Sequence, residues 1–286
     1  MNTLGSAWSN IPKLWLGNGS RFDGVQVLKT RRPVVVFDSG VGGLTVVREL
    51  ERLVPNANIL YVADNDWFPY GSKTGSDVAQ RVEQLLEALC TKLDPEAIVV
   101  ACNTASVAIV DHCTENFRRK CFLVTPQINE AVDASKTKCI VLLATAGTLK
   151  SSHVIQAMAR SKMSAKVWPI ATQLLVALAE AMLAGEEASF ESFEELICLH
   201  LTEEQRLSVD TVVLGCTHFP LLIDGLRRVF PAADNWIDPA RKVALQVVAS
   251  TKLESEFTGK VSKVATFTRG CDATKYQQVF LKNGFG

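Results

Sequence analysis

The chain has 286 residues, 48% of them hydrophobic, and its 30 lysines and arginines balance its 30 aspartates and glutamates. This length and composition predict a globular protein with more than one compact unit. Because equal charges provide no overall basic field to attract phosphates, they argue against a nucleic acid partner.

The first 31 residues lack the basic start and apolar core of a signal peptide, and we interpret them as an N-terminal extension. Polar residues interrupt every apolar stretch before the roughly 20 residues that a membrane span needs. The eight cysteines contain no C-x-x-C pair, and the four histidines form no metal-type cluster with them. We therefore expect a cytoplasmic protein with no metal and no membrane partner.

Short runs rich in valine and isoleucine alternate with helical patterns after Arg32. The predicted strands are Val34–Phe37, Ile59–Val62, Ile98–Ala101, Phe122–Val124, Ile140–Leu143, Val167–Ile170, Val212–Leu214 and Val264–Phe267. Between them, apolar residues recur at helical spacing, as at Leu44, Val47, Leu50 and Val54. The alternation predicts an α/β fold with mostly parallel sheets that helices cover on both faces.

The two halves of the chain resemble each other. Cys102 and Cys216 have near-matching neighbours 114 positions apart, and Asp38 precedes its counterpart Thr145 by 107 positions. These offsets suggest an ancient duplication and predict two similar three-layer α/β domains, related by a pseudo-two-fold axis, with the active site at their interface. We assign residues 32–126 and 237–286 to the first domain and residues 127–236 to the second. The tail returns to the first domain because its strand would otherwise have no sheet to join.

Each of the two cysteines follows an apolar run and precedes short polar residues. This pattern is typical of the carboxyl end of a buried parallel strand that opens on a ligand crevice. His218 would point the same way as the Cys216 thiol if the chain stayed extended, and a base near a thiol favours the reactive thiolate. Buried, inert thiols are expected at the five cysteines that lack such polar neighbours, Cys90, Cys113, Cys121, Cys139 and Cys198.

Two loops at predicted strand ends could also contribute to a site. The glycines of the segment 38–45 permit either a purely structural turn or a helix start that holds a small carboxylate. The segment is not a dinucleotide fingerprint, because Thr45 stands where a third glycine is needed. The rigid turn Pro69-Tyr70-Gly71 could present backbone N–H groups and a phenol, or be an ordinary loop.

Two thiols on opposite sides of one molecule suggest a specific reaction. A proton removed from one face of a carbon and returned to the other inverts that centre, without any cofactor. The resting site must then hold one thiolate and one thiol. Two alternatives stay open: a thiol hydrolase in which Cys216 and His218 are nucleophile and base, and a non-enzymatic binder that closes on an amino acid.

Five motifs in this order together resemble the glutamate racemase family: Asp38–Thr45, Phe68–Gly71, Ala101–Ser106, Ala144–Lys150 and Leu214–Pro220. The resemblance extends from about Val34 to the C-terminus. It implies cofactor-independent interconversion of L- and D-glutamate, which supplies the D-isomer for peptidoglycan synthesis. His218 favours glutamate as substrate, because related aspartate racemases tend to carry an acidic residue there.

The resemblance also implies residue roles. Cys102, assisted by Asp38, would take the α-proton from D-glutamate, and Cys216, assisted by His218, would take it from L-glutamate. The implied substrate-binding residues are Asp38, Ser39, Tyr70, Gly71, Asn103, Thr104, Thr148, Thr217 and His218.

The chain also departs from the family. It has Thr172-Gln173 where Cys-Pro is usual and Val124-Thr-Pro-Gln127 where Val-Val-Pro-Ala is more common. The N-terminal extension resembles a proteobacterial branch that UDP-N-acetylmuramoyl-L-alanine activates, which implies this precursor as a possible activator. The sequence fits either a monomer or a homodimer.

Overall fold

The computed structural model describes residues 14–16, 32–186, 191–251, 253, 263–269 and 273–285. Its strands are β1 (Trp15–Leu16), β2 (Val34–Asp38), β3 (Ile59–Ala63), β4 (Ala97–Val100), β5 (Phe122–Leu123), β6 (Cys139–Ala144), β7 (Lys166–Ala171), β8 (Thr211–Gly215), β9 (Asn235–Ile237) and β10 (Lys263–Phe267).

The first helices of the chain are α1 (Leu44–Leu53), α2 (Gly75–Leu93), α3 (Asn103–His112), α4 (Glu115–Arg118), α5 (Ile128–Ala134), α6 (Ala146–Leu149) and α7 (Ser152–Ser161). They are followed by α8 (Leu174–Leu183), α9 (Glu191–Cys198), α10 (Glu203–Ser208), α11 (Ile223–Val229), α12 (Ala240–Ser250) and α13 (Ala273–Lys282). Tyr70–Ser72 and Phe219–Leu222 form short 3-10 helices.

The strands form two sheets. The first has the order β1-β10-β3-β2-β4-β5, with every neighbouring pair parallel except β1 and β10. The second has the order β7-β6-β8-β9 and is parallel throughout. Since the carboxyl ends of parallel strands lie at one edge of a sheet, each sheet gathers its strand-end loops at one edge.

Successive strand residues enter cores on opposite faces of each sheet. In β2, Val34 and Val36 join one core and Val35 and Phe37 join the other. In β6, the alternating residues divide in the same way between two further cores. Both faces of both sheets are therefore covered by apolar side chains, which is why these strands read as continuous hydrophobic runs. The predicted fold of two α/β domains with mostly parallel sheets is confirmed.

All eight predicted strands are present, with ends that differ by at most one residue. The sequence analysis missed β1 and β9, which have only two and three residues. Of the N-terminal extension predicted over residues 1–31, only 14–16 lie within the described residues; there β1 pairs with β10, Trp15 opposite Phe267. The strand β10 lies in the first sheet, and α12 contacts α1 in the core beside that sheet. The exact limits of the domains stay a prediction.

No helix among the described residues has the length and apolar composition to cross a membrane.

Candidate functional site

The sequence-predicted polar residues lie at the carboxyl ends of central strands in both sheets. Asp38 ends β2, and Cys102 follows β4, its neighbour in the first sheet. Thr145 follows β6, and Cys216 follows β8, its neighbour in the second sheet. Contacts between the two groups, described below, bring both strand edges to one buried site.

Cys216 is the first of three buried side chains that contact one another in a row. The Nδ1 atom of His218 lies 3.7 Å from Sγ of Cys216, and its Nε2 atom lies 2.8 Å from Oε1 of Glu180. All three residues are at most 7% exposed. The chain turns after Cys216 instead of staying extended as expected, since the amide of Phe219 donates to the Cys216 carbonyl. The turn still places the imidazole beside the thiol.

His218 is the charged residue at the centre of this row of three side chains. Burial by itself lowers the pKa of His218, but its hydrogen bonds to Cys216 and Glu180, and the charges of both, outweigh burial and hold that pKa well above 6.5. A protonated imidazole donates from both ring nitrogens, which fits the two contacts observed. The Cys216 sulfur therefore lies beside a positively charged ring.

Cys102 has a different environment. Burial raises the pKa of its thiol to about 12, and the nearby charge of Asp38 contributes in the same direction. The backbone at Ala105 and the Ser39 hydroxyl, whose Oγ lies 3.6 Å from Sγ, oppose this shift. The charge on Cys216 also acts on Cys102, so the two sulfurs share one electrostatic environment. At neutral pH, Cys102 is a protonated thiol.

Asp38 joins the two halves of the site. Its Oδ1 accepts from the amide of Gly40 at 2.7 Å, and its Oδ2 accepts from the hydroxyl of Thr217 at 3.2 Å. Burial raises the pKa of Asp38, although the charge of His218 acts against that increase. The carboxylate of the first sheet is therefore held against residues that follow β8 of the second.

The glycine-rich segment 38–45 packs directly against the second domain. A Cβ atom on Gly42 would lie 2.6 Å from Nδ1 of His218 and 2.6 Å from Oγ1 of Thr217, so only glycine fits this approach. The amide of Val41 donates to Oε1 of Glu180 at 3.2 Å. The carboxylate that this loop binds is therefore the side chain of Glu180.

Polar groups suited to a small acidic ligand lie beside the thiols. Both amide atoms of Asn103, which is 2% exposed, lack a hydrogen-bond partner among the described residues. The hydroxyl of Thr104 lies 2.8 Å from that of Thr145 and 3.2 Å from that of Thr148, which are 3.0 Å from each other. A buried amide without partners and a cluster of hydroxyls from both domains can together bind carboxylate and ammonium groups.

Tyr70 and Gly71 form the wall of the site next to these threonines. The phenol of Tyr70 donates to Oδ2 of Asp64 at 2.6 Å, and its role in substrate binding stays a prediction. A Cβ atom on Gly71 would lie 2.7 Å from Cβ of Thr145 and 2.5 Å from Oε1 of Gln173. It is therefore the backbone at Gly71 that approaches the second domain.

Glu180, Thr145 and Asp64 were not predicted as site residues. Thr145 directly follows β6, within the motif Ala144–Lys150, and Asp64 directly follows β3, so their position at strand ends was an available signal. Glu180 is a buried acidic residue inside the apolar helix α8. An acidic residue on the buried face of such a helix was the available signal, since buried charges need partners. In the first of the two departures noted above, Oε1 of Gln173 lies close to Gly71, whereas Oγ1 of Thr172 accepts from the amide of Leu175.

Comparisons with known proteins identify the family. The family model of Asp/Glu/Hydantoin racemase matches residues 41–247. Glutamate racemase of Brucella anthropi is 34% identical over 232 residues, which cover 81% of this chain and 84% of that protein. Glutamate racemase of Serratia proteamaculans is 37% identical over 216 residues, which cover 76% of this chain and 75% of that protein. The chain belongs to the glutamate racemase family.

Solved structures of glutamate racemases share its fold. The Escherichia coli enzyme, in complex with L-glutamate and the activator UDP-MurNAc-Ala, has a TM-score of 0.74 and 32% identity, covering 89% of this chain and 96% of that chain. The Thermus thermophilus enzyme, in complex with beta-chloro-D-alanine, has a TM-score of 0.63 and 28% identity, covering 82% of this chain and 86% of that chain.

The Cys216–His218–Glu180 chain generates a prediction for this family member. Glu180→Gln removes the negative charge that raises the pKa of His218 and leaves a neutral amide oxygen, a weaker acceptor, in place of the carboxylate. The imidazole should then lose its proton at a lower pH than in the wild-type protein. NMR titration of the ring, assigned by its absence from a His218→Asn variant, measures the midpoint. The exposed Glu203→Gln variant serves as control, and equal midpoints in Glu180→Gln and wild type would contradict the coupling.

Proposed function

We propose that this protein interconverts L- and D-glutamate by proton transfer between two thiols on opposite faces of the substrate α-carbon. The observation that carries the proposal is the unequal pairing of the thiols. Cys216 lies beside a protonated imidazole, and Cys102 is a buried thiol with a pKa raised to about 12. We assign Cys216 as the base and Cys102 as the acid before L-glutamate enters.

The two directions of the reaction use the thiols in opposite orders. With L-glutamate, the Cys216 thiolate accepts the α-proton while the Cys102 thiol donates a proton to the other face, giving D-glutamate. Turnover leaves a thiolate at Cys102, which is a strong base because of its raised pKa and is ready to accept the α-proton of D-glutamate. Asp38, whose own pKa is raised, exchanges a proton with this thiol, and His218 does so with the other.

Glutamate fits the polar groups around the thiols. The unpartnered amide of Asn103 can bind the α-amino and α-carboxyl groups near Cys102, its neighbour in the chain. The hydroxyl cluster of Thr104, Thr145 and Thr148, together with the backbone at Gly71, can bind a carboxylate between the two domains. We also assign Ser39 and Thr217 to the substrate-binding site, since Ser39 contacts Cys102 and Thr217 contacts Asp38.

We also propose a purpose and a cellular compartment for the reaction. Family membership implies a role in supplying D-glutamate for peptidoglycan. The seven described cysteines are free thiols, which supports a reducing compartment such as the cytoplasm.

Replacing either thiol tests the mechanism. Cys102→Ala and Cys216→Ala should each lose racemisation by at least about 100-fold, because each removes the acid or base for one face of the carbon. The assay follows L-glutamate in deuterated water by chiral analysis, with no cofactor added. The wild-type protein should reach equal amounts of the two isomers, with deuterium at the α-carbon. Cys198→Ala, at an exposed cysteine, should behave like wild type.

The outcomes separate the competing functions. Near-normal racemisation in both variants would refute the two-thiol mechanism. A hydrolysis product or an acyl group trapped on Cys216 would support a thiol hydrolase instead. Glutamate binding by wild type without exchange of its α-hydrogen would support a non-enzymatic binder.

We further propose that UDP-N-acetylmuramoyl-L-alanine increases the activity. The Escherichia coli enzyme was solved with this activator, and the similarity covers 96% of that chain. Adding the precursor to the racemisation assay should raise kcat or lower KM for glutamate. UDP-N-acetylglucosamine, which lacks the lactyl-alanine group, is the matched control. An unchanged rate at saturating precursor would contradict activation.

A further inference from the structure

The carboxylate of Asp64, outside the reacting centre, is the hub of a buried hydrogen-bond network. It follows β3, is 0% exposed, and accepts four hydrogen bonds. Its Oδ1 accepts from Nη2 of Arg81 at 2.8 Å and from Oγ1 of Thr268 at 2.6 Å. Its Oδ2 accepts from the phenol of Tyr70 at 2.6 Å and from Nε of Arg81 at 2.9 Å. Arg81 therefore binds this carboxylate through two parallel hydrogen bonds, the strongest geometry for such a pair.

The phenol of Tyr70 serves this network and not proton transfer. Burial raises the pKa of Tyr70 well above 10.0, and the charge of Asp64 adds to the increase, so the phenol stays a hydrogen-bond donor. The ring of Trp67 packs edge-on against Tyr70, with 6.5 Å between ring centroids, and the guanidinium of Arg81 lies 5.4 Å from the centroid of Trp67. Arg81 thus holds the Tyr70 loop through both Asp64 and Trp67.

The same loop is the part of the first domain that contacts the threonine cluster. Besides the approach of Gly71 to Thr145, a Cβ atom on Gly147 would lie 3.2 Å from the carbonyl oxygen of Gly71. Backbone packed this closely to the second domain cannot shift without changing the distances to the hydroxyls that bind the substrate carboxylate. The position of the loop therefore sets the geometry of carboxylate binding.

We infer that Arg81 is a positioning residue for glutamate binding, acting through Asp64 and Tyr70 on the loop at Gly71. Arg81 lies in α2, and the structure shows its interactions with the network and not with the reacting thiols. The inference rests on the proposed function. Because a loop that binds a carboxylate does so equally before and during proton transfer, its displacement raises KM and leaves kcat nearly unchanged.

Two conservative substitutions test this role. Arg81→Lys keeps the positive charge but cannot form the two parallel hydrogen bonds, and Tyr70→Phe keeps the ring but removes the link from Asp64 to the loop. Each should raise KM for glutamate about tenfold, the factor expected for losing one hydrogen bond to a charged group. Because both substitutions interrupt the same connection from Arg81 through Asp64 to Tyr70, the double variant should raise KM no further than the larger of the two single effects.

A purely structural role gives a different pattern. Loss of folded protein lowers the apparent kcat in proportion to the active fraction and leaves KM unchanged. KM within twofold of wild type in both single variants, or additive effects in the double variant, would overturn the inference. If Arg81→Lys does not fold, the KM of Tyr70→Phe alone decides. Arg119→Lys, at an exposed ion pair with Glu115, is the matched control and should match wild type.

The same assay separates this inference from the proposed function. Absence of racemisation by the wild-type protein would refute the function itself. Wild-type racemisation with unchanged KM in the variants would refute only the positioning role of Arg81.

Discussion

The site depends on one buried charge arrangement, in which the imidazolium of His218 lies between the sulfur of Cys216 and the carboxylate of Glu180. A charged group inside a protein is stable only when opposite charges and hydrogen bonds compensate its lost hydration. His218 has such partners in Cys216 and Glu180, whereas Cys102, across the site, has burial and the charge of Asp38. In the proposed mechanism, these different environments make one of two identical side chains a base and the other an acid.

The fold produces this arrangement because the carboxyl-end edges of the two sheets meet at the site. Strand ends of both sheets carry the reacting groups, and loops from one half provide partners for the other: Val41 donates to Glu180, and Thr217 donates to Asp38. Since each half completes the other's polar groups, a change in the approach of the domains alters protonation and substrate geometry together. We infer that the network around Asp64 acts on the same interface through the loop at Gly71.

The sequence predicted the sheets and both thiols because periodicity and strand-end position are local signals. Valine and isoleucine runs marked the central strands, and polar residues directly after them marked Cys102 and Cys216. Glu180 was not predicted because its contact is with His218, 38 positions away, and only the tertiary structure defines that contact. The hydrogen bond of the Tyr70 phenol to Asp64, six positions earlier, could not be predicted because the sequence does not define the direction of a loop side chain. The short strand β9 lacked enough residues to show a period.

The most direct test of the central claim is the ultraviolet absorbance of thiolate at neutral pH in the free protein. Subtracting the spectrum of Cys216→Ala from that of wild type should reveal one thiolate, and the same subtraction for Cys102→Ala should reveal none. A thiolate that disappears with Cys102→Ala, or no difference for either variant, would contradict the assignment of base and acid.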